Sequence, residues 1–199
     1  MISIFSSLGA IPFVITGTIT SEMMEMSASA LFNSIGVNMM FAFMLFQFIG
    51  ALFAIFIFRK FVDRQSFISL GFQLSHHKVD AMKGLVWGAA LISAGFLALY
   101  IFDFISIVET DFGAIQWLSY LAFFAVVAFN EEILVRGYIL TNLMASMNKY
   151  WALIVSALLF SVMHLANDNT SLISTANLFL AGIMLGIYTI HKRNLWFPI

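Results

Sequence analysis

The chain has no cysteine, two prolines and little charge: 9 Lys+Arg and 10 Asp+Glu in 199 residues. The missing cysteine excludes a disulfide framework, a thiolate metal site and a cysteine nucleophile together. Charged residues make up 10% of the chain, against about 25% in an average soluble domain, which excludes a soluble globular protein. A net charge of -1 supplies no basic field, so no nucleic-acid partner is expected. Disorder is excluded too, because a chain that is 62% hydrophobic with 23 Phe would not stay solvated. The chemistry left to such a chain is that of carboxylates, imidazoles, hydroxyls and amides.

Long apolar runs fill the space that charge leaves. A membrane-spanning helix needs about 20 predominantly apolar residues. Met39 to Phe58, Leu85 to Phe102 and Leu172 to Ile190 contain no charged residue. Residues 1 to 21 form a further uncharged run without the basic start of a signal peptide, and are read as a first span with Pro12 as a kink site. Tyr150 to Ala166 and Ala114 to Asn142 complete six candidates. The sequence therefore predicts an all-α, multi-pass transmembrane bundle of about six spans, a single integral membrane domain over residues 1–199.

Basic residues concentrate in short cytoplasmic loops, which orients the spans. Placing the loop 59–83 inside makes Arg59, Lys60, Arg64, Lys78 and Lys83 cytoplasmic, and alternation adds Lys149, Lys192 and Arg193. The opposite side then receives Glu22, Glu25, Asp103, Glu109, Asp111 and Asp168 with no basic residue. This sorting predicts a cytoplasmic N-terminus. Trp87, Trp117 and Trp151 fall near segment starts, where interfacial aromatics belong.

Three charges resist that sorting, all in Asn130-Glu131-Glu132-Ile133-Leu134-Val135-Arg136 of the fourth span. Each costs about 2.5–3.5 kcal/mol at a helix centre on the lenient insertion scale, so such residues are read as functional. Glu132 and Arg136 are i and i+4, in reach of an ion pair. Glu131 is turned about 100° away, which leaves its carboxylate free for chemistry. The fifth span carries an intramembrane histidine, His164. At about 1.5 Å per residue, Glu131, His164 and Asn177 lie roughly 16, 20 and 20 Å from the inner ends of their helices. A carboxylate can take a proton from water, an imidazole can share it and an amide can stabilise an oxyanion. The three are expected to meet at one level as a hydrolytic set.

Glu-Glu-x-x-x-Arg at 131–136, followed by Phe-x-x-x-His at 160–164, resembles the CPBP family of CAAX prenyl endopeptidases and bacteriocin-processing enzymes, also called the Abi family. Gly182 to Tyr188 and Asn194-Leu195-Trp196-Phe197-Pro198-Ile199 are similar to the stretch that follows in that family, so the resemblance spans about 115–199. It implies an intramembrane endopeptidase in which Glu131 activates water, His164 assists, and Glu132 and Arg136 shape the site. Phe160 would pack against it. The implied partners are a peptide or prenylated-protein substrate and the lipid bilayer of a bacterial cell membrane. No cofactor is expected; zinc is the alternative, since members have been described as metalloproteases, but no His-Glu-x-x-His is present. The family's third motif, His-x-x-x-Asn, follows the Leu-Trp-x-Pro-Ile segment, and this sequence stops at Ile199. A piece of a longer product and a naturally shortened member are both consistent with that.

Two other function classes fit parts of the pattern. An inactive member could act as a bacteriocin immunity or membrane scaffold protein. A small proton-coupled transporter would use Glu, His and Arg as a relay, but the first three spans hold no counterpart of Glu131-Glu132. Asn177 supports the site, read as an interhelical hydrogen-bonding residue rather than a catalytic one; outside the site, His76 and His77 are read as a solvated pair. Asn167-Asp168-Asn169 is read as the cap of the sixth span. Gly182-x-x-x-Gly186 and Gly84-x-x-x-Gly88 are read as helix-packing contacts.

Overall fold

Hydrocarbon offers no hydrogen bonds, so apolar runs of this length satisfy their backbone internally as helices. The structure, a computed structural model, describes residues 20–24, 26, 28–73, 75, 77–108, 113–165, 167 and 170–199. The described elements are helical: α1 (Ser21–Met24), α2 (Ala28–Ile57), α3 (Lys78–Ile101), α4 (Ala114–Ser146), α5 (Lys149–Met163) and α6 (Leu172–Lys192). A π-turn at Phe58–Val62 prolongs α2, and a short 3-10 turn, Phe67–Leu70, lies in the loop before α3.

Four helices are long and apolar enough to cross a membrane, at Asn38–Val62, Lys78–Ile101, Ala114–Ser146 and Leu172–Lys192, and α5 is a shorter apolar helix. These correspond to five of the six expected spans. The expected first span lies outside the described residues, except for its last two positions. Gly36, at φ 73° and ψ 167°, breaks the start of α2, a conformation that a residue without a Cβ adopts freely.

Two packed pairs organise the bundle. In the first, Met40 and Met44 of α2 meet Phe123 of α4, and further along Ile55 joins Ile133 in a cluster with Leu70 and Leu195. Successive levels match in the same chain direction, so α2 and α4 run parallel, as alternate spans must. In the second pair, α5 and α6 close on small residues. A Cβ on Gly182 would come within 3.0 Å of Ala157, and one on Gly186 would strike the Leu153 side chain. That pair packs as expected. The other glycine pair does different work: Gly84 receives the backbone carbonyl of Phe197, while nothing stands within 4 Å of a Cβ on Gly88.

The C-terminal segment ties the loop before α3 to the bundle. Asn194 is fully buried; its Nδ2 donates to the Gln73 carbonyl at 2.8 Å and its Oδ1 accepts from the Trp196 N–H at 2.9 Å. The Leu195 N–H donates to the Gly71 carbonyl at 3.0 Å, against a Gly71 held at φ 117°. α6 itself starts on a capping box in which Ser171 and Ser174 exchange bonds, so Ser171 is its cap rather than the expected Asn167-Asp168-Asn169 run. His77 is not solvated but half-buried, with Nδ1 2.8 Å from Asp80 Oδ2; His76 lies outside the described residues. In contrast to the other long helices, α3 buries no residue.

Candidate active site

The two carboxylates of the fourth span part company as helical geometry requires. Glu132 Oε1 lies 2.9 Å from Arg136 Nη1, with side chains only 4% and 1% exposed. Glu131 turns to the α5 side, its Oε1 3.8 Å from His164 Nε2, with exposures of 18% and 10%. The sealed pair is out of reach of solvent and the second pair is not. Burying two charges is costly unless they are well bonded, and here Glu132 Oε2 and Arg136 Nη2 have no hydrogen-bond partner among the described residues. The guanidinium instead lies over the Phe160 ring, 4.3 Å from its centroid, a contact between cation and aromatic face that needs no hydrogen bond.

Phe160 does more than pack. Its ring centroid is 4.6 Å from that of His164, and its carbonyl oxygen lies 2.7 Å from His164 Nδ1. That carbonyl is available because α5 ends here: the His164 N–H turns to the Ser161 carbonyl at 3.1 Å instead of closing a helical bond on Phe160. A carbonyl oxygen only accepts, so Nδ1 carries the hydrogen. In the neutral ring Nε2 is then an acceptor, and it faces Glu131. Two acceptors 3.8 Å apart attract a donor with two hydrogens. A water placed about 2.8 Å from each atom subtends about 85° between them, about 20° less than its own H–O–H angle, so each hydrogen bond bends by about 10°.

The helix carrying the carboxylates changes character directly after them. Ile133–Leu140 is a π-helix, a widened turn that recurs at functional sites. Within it, a Cβ on Gly137 would come within 3.1 Å of Leu195. The widened turn thereby lets the C-terminal segment approach the helix one turn past Glu132.

Asn177, the third member of the expected set, lies exposed on α6. Among the described residues no three His, Asp or Glu side chains gather as a metal site would require.

Several further polar residues are buried. Gln47 is the one polar side chain between Met39 and Phe58. It sits on the same stripe as Met40 and Met44 and is buried, with Oε1 unpartnered among the described residues. Asn130, buried beside the two glutamates in sequence, continues the α4 stripe that begins at Phe123. Arg59, expected in a cytoplasmic loop, is buried at 6% exposure. Its Nη2 donates to Ser69 Oγ at 2.8 Å and its Nη1 to Asn142 Oδ1 at 3.1 Å and Asp63 Oδ2 at 3.3 Å. Arg59 and Asp63 stand at i and i+4, a spacing that signals such a pair.

No curated protein and no solved structure matches the chain. Residues 113–199 match the family model for type II CAAX prenyl endopeptidases, Rce1-like. The matched segment carries Glu131, Glu132, Arg136 and His164 and is similar to that family.

Proposed function

We propose that the chain acts as an intramembrane endopeptidase of the CAAX-protease type, hydrolysing peptide bonds with a water activated by Glu131. The observation that carries this reading is the facing of Glu131 Oε1 and His164 Nε2 across 3.8 Å, with the imidazole fixed by its bond to the Phe160 carbonyl. A water held there gives one hydrogen bond to each acceptor and keeps a lone pair for attack.

In the proposed reaction the water oxygen bonds to the scissile carbonyl carbon as its proton passes to the Glu131 carboxylate. His164 orients the water by accepting its second hydrogen at Nε2. Collapse of the tetrahedral intermediate breaks the C–N bond, and the proton on Glu131 moves to the departing amine. Acid and amine products leave, and Glu131 returns to its starting state. Glu132, paired with Arg136, holds the helix that aims Glu131. The steps proposed here use Glu131 and His164 as the acting groups.

The substrates fitting this reading are prenylated proteins or membrane-active peptides of the bacteriocin type, met in a bacterial cell membrane. The basic loop between α2 and α3 faces the cytoplasm in this reading.

Cleavage of a reporter peptide in membranes holding wild type, Glu131→Gln or His164→Ala tests it. Wild type is expected to cleave. Glu131→Gln should lose about 10²–10⁴ in rate, the usual worth of a general base, and His164→Ala a comparable factor. Equal rates in all three, or no cleavage by wild type, would overturn the proposal. Full activity in strong chelators is expected as well.

A further inference from the structure

Away from Glu131 and His164, α3 and α6 leave a groove of about 240 Å³ between them. Gly84, Trp87, Gly88 and Leu91 form one wall, Met184 and Leu185 the other, and the Phe197–Ile199 segment closes one end. Helices that pack directly leave no such space; here α3 buries no residue, and the room beside Gly88 is open. The two walls are joined at the end nearest the basic residues. Phe197 presents its carbonyl to Gly84 and stacks on Tyr188 with centroids 4.6 Å apart. Lys83 precedes Gly84, and Lys192 lies one turn beyond Tyr188, so both exposed ammonium groups belong to the same end of the groove.

We infer that this groove binds an anionic phospholipid, one acyl chain lying along its apolar wall and the headgroup phosphate held by Lys83 and Lys192. Charge complementarity selects this occupant. Lys78, Lys83, Lys192 and Arg193 are all exposed and none enters an ion pair among the described residues. The carboxylate of their neighbour Asp80 is engaged by His77 at 2.8 Å, and its attraction to Lys83 is the weaker of the two. Basic residues at the ends of membrane helices attract anionic headgroups, and the indole of Trp87 suits the headgroup level. The site is separate from the proposed catalytic centre on α4 and α5, so it stands whether or not the chain cleaves peptides.

The test uses the full chain reconstituted in vesicles of equal phosphatidylglycerol and phosphatidylcholine, then released for native mass spectrometry to identify retained lipid. Wild type is expected to retain phosphatidylglycerol over phosphatidylcholine by roughly tenfold, and Lys83→Gln/Lys192→Gln should bring that ratio close to one. Gly88→Leu fills open space and should remove the retained lipid. As a measurement that does not need the variants to fold equally well, brominated phosphatidylglycerol should quench a component of tryptophan fluorescence present in wild type and absent from Trp87→Phe. Equal retention of both lipids by wild type would overturn the proposal. So would an unchanged ratio in the double lysine variant, or quenching by brominated phosphatidylcholine as strong as by brominated phosphatidylglycerol.

Discussion

Adjacent glutamates in one helix have opposite fates here, and the difference is one of partners. Glu132 has a guanidinium at 2.9 Å and is sealed; Glu131 has an imidazole at 3.8 Å and is accessible. Neutralising each should therefore read out differently. Glu132→Gln leaves Arg136 as a buried, unpaired cation, which is expected to destabilise by about 3–5 kcal/mol. Glu131→Gln should leave stability within about 0.5–1 kcal/mol while slowing cleavage by about 10²–10⁴. Unfolding of the two variants in mixed detergent micelles measures this, and equal loss of stability would contradict the division of roles. Replacing both members of the sealed pair, Glu132→Gln with Arg136→Met, should recover part of the stability lost in Glu132→Gln alone, since it removes the stranded charge. The split itself is legible in the sequence, because i,i+4 spacing pairs Glu132 with Arg136 and turns Glu131 away. The anchoring of His164 by the Phe160 carbonyl is not. It depends on where α5 stops, and helix ends are what a pattern of apolar residues defines least well.

Between elements, contact rests on small residues and on one polar knot. Gly186→Ala would drive a methyl into Leu153, and overpacking of that kind typically costs about 1–3 kcal/mol. A second change, Leu153→Ala, makes room for the methyl and should cost less in the Gly186→Ala background than in wild type. A double-mutant cycle on thermal unfolding measures the coupling. The spacing Gly182-x-x-x-Gly186 announced this contact, whereas the similar spacing of Gly84 and Gly88 did not announce its own. Gly84 is small to admit the Phe197 backbone and Gly88 borders open space, and spacing alone carries no information about what approaches. The polar knot joins α2 to α4 through Arg59, Asp63, Ser69 and Asn142. Asn142→Ala withdraws one acceptor from a buried guanidinium, an expected loss of about 1–3 kcal/mol, with faster proteolysis of the 59–77 loop as its local signature. Arg59 sorted with the loop charges because sequence position was the only guide; burial at the end of a span is decided by its neighbours in space.

The whole molecule follows from scarcity of charge. Five helices fell where apolar runs placed them, and the basic residues crowd toward one end of the bundle. A chain without cysteine allows that end to be located directly. Ser75→Cys, in the loop before α3, and Ser106→Cys, after it, are both at exposed positions. A membrane-impermeant maleimide added to intact cells is expected to label Ser106→Cys and to reach Ser75→Cys only after the membrane is opened. Labelling of both from outside would reverse or break the assigned topology. What the sequence could not convey is the bond between distant parts of the chain, such as the one from Asn194 to Gln73, 121 residues apart. During synthesis at about 5–20 residues per second, the loop at Gly71–Gln73 waits roughly 6–24 s for Asn194 and Leu195 to emerge. For that interval the loop has no partner in its own chain. The membrane-insertion and quality-control machinery of the cell therefore meets this protein with the loop before α3 still open, until Asn194 and Leu195 arrive.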